Sequence, residues 1–169
     1  MTIFWGTEDY YHIKFMISLD DIKIAQKNIS AFIYKTPQIH STFLSTKNRK
    51  VSLKLESMQI TGSFKLRGAI NKLLSLTDEQ KKRGVIAVST GNHGKGVTYA
   101  AKKLGIKSKI FMSKLAPDYR RQAIESLGGI VEIVGANSDE ADLYAKDYAI
   151  KNNKELIHPF DDLKIIAGQ

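Results

Sequence analysis

A chain of 169 residues, 43% hydrophobic and 25% charged, is long enough to bury a core and has the composition of an ordinary globular protein. It contains no cysteine, which excludes a disulfide framework and a cysteine-ligated zinc site, and no apolar run approaches the roughly 20 residues of a membrane span. The formal charge of +9 raises nucleic-acid binding, but the lysines are scattered through "KNRK", "DEQKKR", "AAKKLG" and "KNNKE" without a basic stripe interleaved with aromatics. No nucleic acid, membrane or metal is therefore expected as a partner. The opening residues lack the basic start and apolar centre of an export signal, and a cytoplasmic location is expected.

Residues 1–15 carry Phe4, Trp5, Tyr10, Tyr11 and Phe15 and are set apart as an extension of unknown role. Ser18 is placed to cap a helix whose apolar positions are Leu19, Ile22 and Ile29. Pro37 breaks the next stretch, and Val51, Leu53 and Leu55 alternate as in a half-buried strand. Residues 64–76 read as a helix, and Thr77 with Gln80 forms a capping-box pattern for a short helix that stops at Gly84.

From there the text becomes rhythmic. Strands are predicted at 85–88, 109–112, 130–134 and 155–158, and helices at 95–104, 117–127 and 138–152, with Gly105, Gly128 and Gly129 as stops. Short apolar strands alternating with amphipathic helices imply right-handed crossovers, and hence an α/β fold with a three-layer parallel sheet covered by helices on both faces. The expected division is 16–70, 71–160 and a return segment at 161–169.

In such a sheet, ligands bind beyond the carboxyl ends of the strands. The segment after the first rhythmic strand, "STGNHGKG" at 89–96, offers three glycines and a following helix N-terminus to an anion. It fits neither the P-loop nor the dinucleotide pattern, which disfavours a nucleotide. Taken alone it remains open between an anion grip and a glycine-rich turn with polar caps. Lys65, in "TGSFKLRGA", stands at the helix end where the dipole disfavours a cation. If partly desolvated, its amine would lose its proton more readily and could attack a carbonyl.

These two motifs, in this order, with "HPFDDLKIIAGQ" after them, resemble the fold-type II pyridoxal-phosphate enzymes of the threonine/serine dehydratase and serine racemase group, over about residues 16–169. The resemblance implies the tryptophan synthase β-like fold with an incomplete second domain, pyridoxal 5'-phosphate as cofactor, and a homodimer in full-length form. It implies that Lys65 is the catalytic residue, holding the cofactor covalently and later taking the Cα proton, with Phe64 and Asn92 as further cofactor contacts. Ser89, Thr90, Gly91, Asn92 and His93 would line the substrate carboxylate, largely through backbone N–H groups. The implied reaction is ammonia-lyase chemistry, converting a small hydroxy amino acid to a 2-oxo acid and ammonia. Serine racemase and the hydroxyectoine-utilisation dehydratase branch are the alternatives. Serine racemases generally carry serine where Thr90 stands, which favours dehydration over racemisation. The family's glycine-rich phosphate loop and the residue that bonds the pyridine nitrogen have no counterpart in this sequence. The reading is thus of a chain truncated at the C-terminus, with a non-catalytic fragment as the alternative from another class.

Overall fold

The computed structural model describes residues 17–169, so the expectation for 1–15 lies outside the described residues. Helix α1 (Leu19–Ile29) begins where Ser18 and Asp21 exchange bonds: the Asp21 N–H donates to Ser18 Oγ at 3.1 Å, and the Ser18 N–H donates to Asp21 Oδ2 at 3.0 Å. Its buried face is Ala25 and Ile29, whereas Leu19 and Ile22 are exposed, so the apolar stripe expected from the sequence is buried only at its end. Strands β1 (Gln38–His40) and β2 (Ser52–Lys54) pair antiparallel as an isolated ribbon with Ile39 opposite Leu53. Every residue of both strands is exposed, which corrects the half-buried strand expected there. Nothing among the described residues extends this ribbon into a larger sheet, so its alternation has no core face to serve.

A one-turn 3₁₀ segment (Glu56–Met58) leads toward helix α2 (Lys65–Leu74). It is pinned by a bidentate pair in which Arg67 Nε and Nη2 each donate to the Glu56 carboxylate at 2.8 Å, while Thr36 Oγ1 donates to the same carboxylate at 2.6 Å. The Arg67 bonds hold the Glu56 carboxyl below its ordinary pKa. Helix α3 (Asp78–Arg83) has the predicted box, with the Gln80 N–H donating to Thr77 Oγ1 at 3.2 Å.

The rhythmic portion forms one parallel sheet in the order β5-β4-β3-β6, from β3 (Val85–Val88), β4 (Ser108–Met112), β5 (Ile130–Ile133) and β6 (Glu155–Leu156). Between the strands run α4 (Asn92–Lys103), α5 (Asp118–Glu125) and α6 (Ser138–Lys151), and α7 (Leu163–Gly168) follows the last strand. Alternation along the strands sorts the core. Val85, Ala87, Ile110 and Met112 pack with Leu66, Ile70, Val97, Ala101, Ile124 and Ile165 on one face, and Ile86 and Phe111 pack with Ala141 and Ala145 of α6 on the other. The three-layer parallel arrangement expected from the sequence is thus present. Helix α2 runs unbroken across the expected division at 70 and 71. Among the described residues no helix is long and apolar enough to cross a membrane.

Two glycines let α7 lie against α2. A Cβ on Gly68 would stand 2.7 Å from the Ile165 carbonyl oxygen, and one on Gly168 would stand 2.9 Å from Gly68 Cα. A polar clamp secures the same contact: Lys72 Nζ lies 2.7 Å from Asp162 Oδ2 and 3.4 Å from Glu155 Oε1, and Asp162 also caps α7. Burial alone would lower the Lys72 pKa, but the Asp162 and Glu155 carboxylates more than offset it and the net direction is upward. Gly68→Ala is expected to lower stability in urea unfolding by about 1–3 kcal/mol, because the overpacked crossing outweighs the better helix propensity of alanine. A stabilised variant would mean that α7 does not dock there.

Candidate active site

Where β3 ends, the Ser89 N–H still donates to the Phe111 carbonyl at 3.1 Å, and the Gly91 N–H then turns back to Ser89 Oγ at 3.1 Å. Helix α4 follows with Gly91 at its cap and Asn92 as its first residue, three positions earlier than the sequence suggested. Gly94 and Gly96 are therefore helical rather than part of a loop, and close approach explains both. A Cβ on Gly96 would sit 3.2 Å from Leu66 N and Lys65 C, and one on Gly94 would sit 2.8 Å from Ile124 Cδ1. The start of α4 has no side-chain cap and no acidic residue in its first turn, whereas α1, α3, α6 and α7 are capped by Ser18, Thr77, Asn137 and Asp162. Its first-turn N–H groups remain available to an outside acceptor.

Helix α2 brings its own first residue to this place. Lys65 Nζ donates to the Pro159 carbonyl at 2.7 Å and to Gln169 Oε1 at 3.3 Å, and lies 5.0 Å from the centre of the Phe64 ring. Phe64 stands at the N-cap position of α2, makes no side-chain capping bond, and is 41% exposed. Burial lowers the Lys65 pKa from its ordinary value, the direction that makes an amine nucleophilic.

His93, in the first turn of α4, is only 5% exposed, and its Nε2 lies 2.8 Å from the Ile157 carbonyl oxygen. A carbonyl accepts only, so Nε2 carries the proton and Nδ1 is bare; Nδ1 is buried without a partner among the described residues. Burial pushes the His93 pKa down to about 4, opposed by the Ile157 bond and assisted by Coulomb repulsion from Lys65 and the neighbouring His158. The imidazole is therefore neutral at pH 7. Of the groups on His93, only the backbone N–H is left for a carboxylate.

The predicted residues are thus brought to one end of the sheet, but not into a single contact. Ser89, Thr90 and Gly91 form the half-buried turn, while Asn92 is exposed. Asn92 lines a cavity of about 360 Å³ together with Gly91, Lys95, Tyr119, Arg120 and Ala123. The Lys65 amine is bonded to Pro159 and Gln169 rather than to Asn92. Pro159, Gln169 and Ile157 are not picked out by sequence reasoning, although the first two lie inside the quoted "HPFDDLKIIAGQ" motif. The Ile157 N–H donates to the Ile86 carbonyl at 2.8 Å, which lays that segment along β3. Arg120 has no signal at all in the local pattern.

The donor set suits an anionic aldehyde. It combines a partly desolvated primary amine, a helix start free of carboxylates, and two buried hydroxyls, Thr61 Oγ1 and Ser63 Oγ, that lack partners among the described residues just before Lys65. Residues 29–169 match the family model described as pyridoxal-phosphate dependent enzyme. The chain is 47% identical over 156 residues to the L-threonine dehydratase catabolic TdcB of Staphylococcus aureus (strain USA300), covering 91% of this chain and 45% of the relative. It also resembles the crystal structure of serine racemase from Dictyostelium discoideum, with a TM-score of 0.82 and 36% identity over 90% of this chain and 50% of that one. A third similarity is to the processed form of threonine deaminase isoform 2 from Solanum lycopersicum, with a TM-score of 0.79 and 33% identity over 89% of this chain and 46% of that one. The chain spans about half the length of the curated relatives it matches. With the lysine, the turn and the return segment meeting at one sheet end, and the family model covering nearly all of the described residues, the chain belongs to the pyridoxal-phosphate dependent enzyme family.

Proposed function

We propose that the protein acts as a pyridoxal-phosphate-dependent threonine/serine dehydratase, converting a small hydroxy amino acid to a 2-oxo acid and ammonia. A single observation carries the reading: the Lys65 amine is partly desolvated and held against the Pro159 carbonyl and Gln169 of the "HPFDDLKIIAGQ" segment. When bound, pyridoxal phosphate supplies the electron sink that makes loss of the Cα proton feasible. Lys65 Nζ would hold that group and would later take the Cα proton, and a lowered pKa raises the fraction of amine that is neutral and able to do so. Phe64 would pack beside the ring, and Asn92 would donate to its phenolic oxygen. Ser89 and Gly91, whose N–H groups are bonded to the Phe111 carbonyl and Ser89 Oγ, would shape the turn, and the N–H groups of Thr90, Asn92 and His93 would orient the substrate carboxylate at the positive end of α4.

The same proposal assigns residues 71–160 to a small α/β lobe, and residues 16–70 with 161–169 to the part that joins the larger one. It includes a cytoplasmic location and a homodimer for the full-length form. Racemisation is the second reading, favoured by the similarity to serine racemase, with the Thr90 hydroxyl as the candidate second acid-base group. To test the leading reading, the 169-residue chain is mixed with pyridoxal phosphate, reduced with borohydride and mapped by peptide mass. A single label on Lys65 is the expected result. Label scattered over surface lysines would replace this reading with a non-catalytic α/β scaffold.

A further inference from the structure

The turn from β3 into α4 is short of internal ties. Its Ser89 N–H is spent on Phe111, its Gly91 N–H on Ser89 Oγ, and the Gly91 carbonyl accepts from the Lys95 N–H at 3.2 Å. Thr90, at its apex, makes one hydrogen bond among the described residues: its carbonyl accepts from Arg120 Nη1 at 3.1 Å. Arg120 belongs to another crossover, in the first turn of α5. The guanidinium is oriented from both ends, because Arg120 Nε also donates to Tyr119 Oη at 3.1 Å and the group stands 5.7 Å from the centre of that ring.

Arg120 also differs from its neighbour in charge balance. Arg121 pairs with Asp118 and Glu125, whereas no carboxylate among the described residues pairs with Arg120. Its charge shares the 360 Å³ cavity with Lys95 and with Asn92, the first residue of α4. Two cations and an uncapped helix start at one opening make a positive mouth.

We propose that Arg120 is a positioning residue for the substrate carboxylate: its bond to the Thr90 carbonyl ties the 89–91 turn to α5 and so fixes where the first-turn N–H groups of α4 point. This rests on the dehydratase reading for the identity of the anion, but the tether itself does not. One charge-assisted bond from Arg120 Nη1, at the surface, biases the turn toward one geometry, so part of the ordering cost is met before substrate arrives.

The test uses Arg120→Gln and Arg120→Lys in the 169-residue chain. Amide hydrogen exchange is expected to speed up roughly tenfold at residues 89–94 in the glutamine variant, which corresponds to loss of one charge-assisted bond, with β4 and the second half of α4 unchanged. With pyridoxal phosphate loaded, borohydride labelling of Lys65 is expected to stay at the parent level. The L-threonine concentration giving half of the cofactor's spectral change is expected to rise about tenfold, with partial recovery in the lysine variant. Unchanged exchange at 89–94 overturns the tether, and an unchanged L-threonine midpoint overturns the role toward the carboxylate. Failure of the parent chain to label at Lys65 sinks the dehydratase reading instead, and the exchange measurement then decides the tether by itself.

Discussion

Under the proposed function, Lys65→Ala is expected to abolish covalent attachment of pyridoxal phosphate and to reduce turnover of a hydroxy amino acid by at least about a thousandfold, since one nitrogen would serve as both anchor and base. Lys65→Arg is expected to fail equally. A guanidinium keeps its proton throughout the accessible pH range and cannot condense with an aldehyde. The fold should survive both changes. The amine contributes two hydrogen bonds, to Pro159 and Gln169, and its partial burial works against its charge, so unfolding free energy should move by no more than about 1 kcal/mol. The measurement is cofactor absorbance and borohydride labelling at equal protein folding. Labelling of the alanine variant at the parental stoichiometry would remove Lys65 from the centre of the chemistry.

Acid should destabilise the chain through one residue first. The His93 pKa lies at about 4 in the folded state and near 6.5 when unfolded, so the unfolded chain binds a proton that the native chain refuses. The contribution is fully present above pH 6.5. It falls as pH drops through 6.5 toward 4, at a limiting slope of about 1.4 kcal/mol per pH unit and a total of about 3 kcal/mol. Three carboxyls held below their usual values act lower on the scale: Asp21, bonded by Ser18, Glu56, beside Arg67, and Asp162, whose burial is outweighed by Lys72 and the α7 N–H groups. Denaturant unfolding between pH 7.5 and 5 therefore isolates the histidine. In His93→Gln, whose amide can still donate to the Ile157 carbonyl, the fall over that interval is expected to vanish. An unchanged slope in that variant would locate the acid-sensitive group elsewhere.

How much of this is legible in the sequence varies from segment to segment for identifiable reasons. Strands β3, β4 and β5 are visible because each is a short apolar run closed by a turn residue, and the caps at Ser18 and Thr77 because capping chemistry is local. The start of α4 is misplaced by sequence reasoning because Gly94 and Gly96 look like loop residues. Their need arises only when the backbone of α2 and the side chain of Ile124 press against that helix. The exposed ribbon β1–β2 misleads for the mirror reason, since alternation signals a buried face without saying what would bury it.

The sequence alone singled out the candidate groups: an amine at 65 set against the helix dipole, a glycine-rich segment at 89–96, and the order in which they occur. Those are properties of neighbours in the chain, and short-range chemistry writes them there. Tertiary structure alone decided that the Lys65 amine rests on Pro159 and Gln169, that His93 is neutral against Ile157, and that Arg120 holds Thr90. Each of these pairs joins residues at least 30 positions apart, and only sheet order and helix crossing bring such partners within a hydrogen bond.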